Sequence, residues 1–234
     1  MAKKTPKTNK IINFICNHSN DTITKKLELV YLDRDHDLYA NYKKINYIYF
    51  PITSIIAILN LLEDGASPEI ATIGIDGVAG VDCFFGNYCE TKRLITQSSG
   101  YAYRLSVADA INYFETDKLF QKVILKYANF LFTQASQIAA CNRYHNIEEQ
   151  LSRFLSTSMD RWNKNRISLT HQRIANLLGV RRPTISEASA KLSEKKIIHY
   201  HRGCVTILDQ NKLNNKACEC YKLIKNEADK VYVV

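Results

Sequence analysis

The sequence predicts an α+β protein in three parts: a small antiparallel β-barrel or sandwich, one long helix, and a C-terminal helix-turn-helix with a β-hairpin beside it. Three observations lead there. Residues 28–104 contain six short β-rich runs separated by turn formers, the pattern of a small antiparallel barrel or sandwich. Residues 116–141 run without proline or glycine and are apolar on more than one side. Residues 169–192, LTHQRIANLLGVRRPTISEASAKL, hold two helical patterns with one glycine between them.

The chain opens on a tail with four lysines in its first ten residues, and short helices are expected after it, making a leading segment of residues 1–26. The β-rich part, residues 27–115, contains LELVYL, INYIYF, SIIAILNLL, EIATIGI, RLITQ and YAYRL. Turn formers at Glu63-Asp64-Gly65-Ala66 and Gly74-Ile75-Asp76-Gly77 separate them. The long helix and a hinge occupy residues 116–145. There Ile124, Leu131 and Ile138 repeat every seven residues with Ala128 and Ala135 between them, the spacing of a seam between two copies of one helix. Phe120, Tyr127 and Phe130 are placed to pack back onto the β-roll. The hinge is expected near residues 142–146, where His145 reads as a capping or packing residue rather than a metal ligand.

The last part, residues 146–234, is organised around the two-helix stretch. Thr170 offers a hydroxyl to cap the first helix, whose apolar stripe is Ile174, Leu177 and Leu178. Gly179 stands where that helix must stop in a left-handed conformation. Pro183 suits the first position of the second helix. Ile185, Ala188 and Leu192 then give one buried stripe and leave Arg182, Thr184, Glu187 and Lys191 nearer the outer faces. Ala175 lies four residues before Gly179 and Ile185 six after it, so two helices can cross closely around an apolar plug. IIHYHRGCVTIL follows, two β-rich runs around His201-Arg202-Gly203 that read as a hairpin wing. Asp209 is placed to cap a final helix running to about Lys230.

Composition bounds the function. Hydrophobic residues at 46% and charged residues at 24% describe an ordinary soluble chain, and no run is long enough to cross a membrane, so a cytoplasmic protein is expected. The net charge of +9 is unevenly placed. Residues 147–234 carry 16 Lys+Arg against 9 Asp+Glu, a net +7, while residues 11–146 carry 12 against 14, a net −2. A basic C-terminal part on a near-neutral middle suits a phosphate-binding module joined to a separate domain. The seven cysteines, Cys16, Cys83, Cys89, Cys141, Cys204, Cys218 and Cys220, have no disulfide-like spacing and read as reduced thiols. Cys218-Glu-Cys220 has no second pair near it in the chain, so no metal or iron–sulfur site is expected. No nucleophile–base pair or phosphate loop has a recognisable spacing either, which argues against an enzyme, and no cofactor is expected.

LTHQRIANLLGVRRPTISEA, IIHYHRGCVTILD and ACECY at residues 217–221 together resemble the Crp/Fnr family of bacterial transcription regulators, and more loosely the resemblance extends back to about Leu27. YFP at residues 49–51, EDG at 63–65 and the glycines Gly77 and Gly80 look like landmarks of that family's β-roll, a jelly roll related to cyclic-nucleotide-binding domains. The resemblance implies a homodimer through the long helix, double-stranded DNA as partner, RNA polymerase as a candidate partner, and a small-molecule effector or none. The second helix would enter the major groove, with Arg181, Arg182, Thr184, Ser186 and Glu187 at base edges or in the groove. Thr170, His171, Gln172, Lys191 and the wing's Arg202 would meet phosphates. Arg182 matches the family's guanine-reading arginine, but Pro183 stands where many members have glutamate and Glu187 where they have a second arginine, so a different half-site is expected. Members that bind cyclic nucleotide supply a glutamate after a glycine and an Arg-Ser pair further on. Here Val81 and Asp82 follow Gly80, and the later segment reads Glu90-Thr91-Lys92-Arg93, so control by cyclic nucleotide is not expected. The alternative is a winged-helix protein-interaction module without specific DNA binding.

Overall fold

The computed structural model describes residues 9–18, 23–39, 44–63, 65–88, 92–162 and 165–233. The chain divides into two compact units, residues 1–58 with 72–131 and 228–234, and residues 59–71 with 132–227. The first eight residues of the lysine-rich tail, together with Asp64, Cys89, Glu90 and Thr91, lie outside the described residues.

The first unit opens on α1 (Lys10–His18), which buries Ile11, Ile12 and Ile15. Asn9 starts it: its Oδ1 accepts from the amides of Ile11 and Ile12 at 3.0 and 3.3 Å. Its Nδ2 donates to the carbonyls of Pro51 and Gly77, both at 2.9 Å, so one side chain caps the helix and ties it to the β-roll. The strands are β1 (Glu28–Leu32), β2 (Asp37–Tyr39), β3 (Tyr47–Pro51), β4 (Ile55–Leu59), β5 (Glu69–Ile73), β6 (Arg93–Ser98) and β7 (Gly100–Ser106). They form two sheets, ordered β1-β7-β3 and β2-β6-β4-β5, and β7 pairs antiparallel with both its neighbours. Strand β4 is buried at every position, which explains why its residues, IIAIL, form a continuous apolar run instead of alternating. All six β-rich runs of the sequence are strands here; β2, at three residues, is too short to show a period.

The long helix expected over residues 116–141 is present, and a second helix that the sequence reading did not anticipate precedes it. Helix α2 (Val107–Thr116) is capped by Ser106, whose hydroxyl accepts from the Asp109 amide at 3.1 Å. Asp117 interrupts the helical path and its carboxylate accepts from the amides of Leu119 and Phe120, at 2.8 and 3.1 Å, starting α3 (Lys118–Tyr144). Phe120 and Tyr127 of α3 are fully buried, as their spacing from the β-roll implies. Tyr127 occupies a notch left by Gly77: a Cβ built there would lie 2.0 Å from the phenol oxygen and 2.9 Å from Ile73. Gly77→Ala should therefore overpack this contact and destabilise the protein by about 1–3 kcal/mol, read as a lower denaturation midpoint with unchanged slope. An unchanged midpoint would mean that Tyr127 is not seated there.

The second unit contains α4 (Ile147–Trp162), β8 (Arg166–Ile167), α5 (His171–Leu178), α6 (Arg182–Glu194), β9 (Ile198–His201), β10 (Cys204–Ile207), α7 (Gln210–Lys216) and most of α8 (Glu219–Lys230). Asn146 and Glu149 start α4 with a reciprocal capping box: each side chain accepts from the other's amide, at 3.0 and 3.1 Å. The cap at this hinge is thus Asn146, not His145. Strands β8, β10 and β9 form a small antiparallel sheet. Asp209 caps the next helix by accepting from Lys212 N at 2.9 Å, as its position suggests. The expected single final helix, however, is two. Ala217 adopts an extended backbone, ψ 146°, and breaks the path between α7 and α8.

Candidate nucleic-acid interface

The local chemistry of the two-helix stretch produces the turn the sequence implies. Thr170 caps α5 by accepting from Arg173 N at 3.2 Å, and Gly179 ends it in the left-handed region, φ 67°. Ile174, Ala175, Ile185, Ala188 and Leu192 are all buried between the helices and their neighbours. Helix α6 begins at Arg182, one residue before Pro183, so the proline takes the second position, where its lack of an N–H is equally harmless. The start of α6 has no acidic residue in its first turn and no side-chain cap on Arg181. The positive dipole end of α6 thus carries two exposed arginines, Arg181 and Arg182.

The wing completes this surface. Strands β9 and β10 pair from His201↔Cys204, leaving a two-residue turn of Arg202 and Gly203. Both have positive φ, 44° and 75°, the requirement of the tight turn that follows the twist of a hairpin. The wing tip lies against the start of α5: a Cβ on Gly203 would sit 3.2 Å from the Thr170 methyl. Thr170, Gln172, Arg181, Arg182, Glu187, Lys191 and Arg202 are exposed, and Thr184 and Ser186 are half-buried. Some have partners already. Gln172 Nε2 donates to Asn176 at 2.9 Å, Ser186 donates to the Arg182 carbonyl at 3.2 Å, and Lys191 pairs with Glu148 of α4 at 3.2 Å.

His171 corrects the sequence reading. Its amide donates to the Tyr200 hydroxyl at 3.0 Å, its ring stacks on the Tyr200 ring at 3.8 Å, and its Nδ1 meets Ser186 Oγ at 3.0 Å. Its Nε2 is inaccessible, so neither backbone nor ring is offered to a phosphate. Burial, then the nearby Arg182 charge, hold this histidine below its ordinary pKa. The residue fastens α5, α6 and the wing to one another instead. A second correction concerns α3. Ile124, Leu131 and Ile138 are buried within the chain, at 0, 9 and 6% exposure, so little of them is left for a second copy to cover. The exposed apolar residues fall one position later, at Leu125 (45%) and Phe132 (73%). Ala128 and Ala135 are half-buried on that same side.

In the first unit Arg93 is the first residue of β6. Its Nε and Nη2 donate to the two oxygens of Asp37, at 2.6 and 3.2 Å, a forked pair that occupies the guanidinium. Lys92 pairs with Asp82 at 3.0 Å.

The fold also assembles a group that the sequence keeps far apart. Cys141 and His145, one helical turn apart at the end of α3, meet Cys218 and Cys220 at the α7–α8 break. Their four ligating atoms all lie within 4.8 Å of one another. The close spacing of Cys218 and Cys220 was legible, but not its partners, since Cys141 lies 77 residues before Cys218. Cys141 Sγ lies 3.5 Å from Cys218 Sγ and accepts from the buried Arg153 Nε at 3.2 Å. The hydrogen bond from Cys218, then the Arg153 charge, hold the Cys141 thiol down at about 5, while Cys218 is pushed up as the proton-bearing member.

Residues 149–216 match the family of Crp-like helix-turn-helix domains. Comparison with curated protein sequences finds no match. Among solved structures, the chain resembles a Crp/Fnr-family transcriptional regulator from Eubacterium rectale, with TM-score 0.67 and 14% identity over 87% of this chain and 98% of the other. FixK2 from Bradyrhizobium japonicum gives TM-score 0.66 and 14% identity, covering 82% and 98%. The Crp-family regulator TTHB099 from Thermus thermophilus gives 0.67 and 14%, covering 80% and 96%. At such identities the likeness is one of fold.

Proposed function

From a chain that carries a Crp-like helix-turn-helix domain and has the fold of the Crp/Fnr transcription regulators, we propose a homodimer that binds a palindromic operator in double-stranded DNA. The observation that carries this reading is the exposed start of α6, with Arg181 and Arg182, in a helix-turn-helix whose wing tip, carrying the exposed Arg202, meets Thr170 at the cap of α5. Helix α6 reads base edges through Arg182 and Glu187, while Arg202, Thr170 and Gln172 hold phosphates. The dimer seam runs along Leu125, Ala128, Phe132, Ala135 and Ala139 of α3, positions spaced three and four apart with alanines that let two helices approach. In the two-fold dimer the two recognition helices meet successive major grooves, about 34 Å apart.

Selection of bound duplexes from a random pool, followed by affinity measurements across a salt series, tests this reading. A palindromic consensus with a steep salt dependence is expected. Binding without sequence preference, or no binding to duplex DNA, would favour the protein-interaction alternative.

Cyclic nucleotide is not the effector in this reading. The supporting observation is that Arg93 is engaged by Asp37 and Lys92 by Asp82, leaving neither poised for a phosphate. Cyclic AMP or cyclic GMP at millimolar concentration should leave the melting temperature and the DNA affinity unchanged. A specific ligand at 100 times its Kd would stabilise by ~2.7 kcal/mol, a shift that a melt resolves.

A further inference from the structure

The group formed by Cys141, His145, Cys218 and Cys220 has no part in the DNA-binding surface, and four features of it point the same way. The first is composition and size. Three thiols and one imidazole are the donors of a structural zinc site, and a zinc ion with Zn–S of about 2.3 Å and Zn–N of about 2.0 Å holds its ligand atoms about 3.5–3.8 Å apart. The separations here are 3.5 Å between Cys141 Sγ and Cys218 Sγ and 3.7 Å between Cys220 Sγ and His145 Nδ1, with all four atoms inside 4.8 Å. An iron–sulfur cluster sets its own irons and sulfides between the ligands and needs a wider cage.

The second feature is the histidine's orientation. Nδ1 faces the sulfurs, and Nε2 lies 3.2 Å from Glu219 Oε1. A carboxylate on the far nitrogen fixes the tautomer that leaves the near nitrogen unprotonated, which is how metal-bound histidines are held. The third is charge. Arg153 is 2% exposed and, among the described residues, its Nε donates to Cys141 Sγ at 3.2 Å. A buried guanidinium donating to a sulfur favours the thiolate, the form that binds metal. Three thiolates and a neutral imidazole around a divalent ion leave one negative charge, which Arg153 offsets. The fourth is burial: the three cysteines are 0, 6 and 2% exposed, so the site is closed to a fifth ligand from solvent.

We propose that Cys141, His145, Cys218 and Cys220 form a closed tetrahedral site for one zinc ion per chain. The ion would join the end of α3 to the α7–α8 break, with Glu219 and Arg153 as its outer partners. Its part is structural, since all four positions are filled by the protein.

The full-length protein, purified without chelator or added metal, tests this by elemental analysis and by exchange with cobalt. One zinc per chain is expected. Cobalt loading should give the intense visible bands of a tetrahedral ion together with near-ultraviolet thiolate charge transfer. A strong chelator should lower the melting temperature, and added zinc should restore it. Cys141→Ser and Cys220→Ser should each lose the cobalt bands, while Cys16→Ser, on α1, keeps them. His145→Cys should retain the metal with a changed spectrum. If the cysteine variants do not fold, the wild-type stoichiometry and cobalt spectrum decide. Zinc at background level with no tetrahedral cobalt spectrum overturns the proposal, as does a Cys141–Cys218 disulfide in the unreduced protein. A tetrahedral spectrum that survives both serine substitutions assigns the metal elsewhere and also overturns it.

Discussion

Phe132→Glu should convert the protein from dimer to monomer while leaving each chain folded. Phe132 is 73% exposed, so a carboxylate there costs the isolated chain little. Against a second copy it must lose its hydration beside an identical charge, which an apolar helix seam does not offset. Sedimentation should show monomers, and affinity for a palindromic duplex should fall by about 10²-fold or more as two linked half-site contacts become one. Leu131→Ala is the contrasting change. Leu131 is 9% exposed within its own chain, so its truncation should destabilise by about 2–5 kcal/mol and leave the folded protein dimeric. If Phe132→Glu stays dimeric, α3 does not form the seam along this face.

Arg182→Ala should flatten base preference at one position of each half-site. Arg182 is exposed at the first residue of α6, where a guanidinium can give two parallel hydrogen bonds to guanine O6 and N7. Loss of such a contact costs roughly 1–3 kcal/mol on the correct base and much less on random DNA. Arg202→Ala should behave differently: specific and random DNA weaken together, and the salt dependence becomes shallower by about one unit per contact. Glu187 provides a test of sign. A carboxylate there can accept from cytosine N4 but repels phosphate, so Glu187→Gln should raise random-DNA affinity while blurring specificity. Binding of the three variants to a selected and a scrambled duplex across a salt series separates these outcomes. Equal losses on both duplexes for Arg182→Ala would remove it from base readout.

Much of the fold was legible because it depends on local chemistry. Thr170, Gly179 and Asp209 act where their types say they should, since a cap or a left-handed residue is decided within a few neighbours. The six β-rich runs were legible for the same reason. What escaped depends on long-range packing. The seven-residue repeat on α3 is real, but the sequence could not say whether Ile124 or Leu125 faces outward, because the two registers differ by one residue and both faces are apolar. His171 looked like a phosphate donor until Tyr200, from the wing, covered it. Cys218 and Cys220 looked isolated because their partners arrive only through the third dimension. The break at Ala217 left no trace either, as no glycine or proline marks it.

The wing turn places a handedness penalty at a single residue. Arg202 holds φ 44°, a conformation that L-residues with side chains adopt at a cost of order 1–3 kcal/mol and that glycine adopts freely. A chain selected for robustness alone would place glycine or asparagine there, so an Arg202 that holds a phosphate would trade stability for affinity. Arg202→Gly should therefore raise resistance to heat and denaturant while lowering affinity for every duplex, moving the two properties in opposite directions through one side chain.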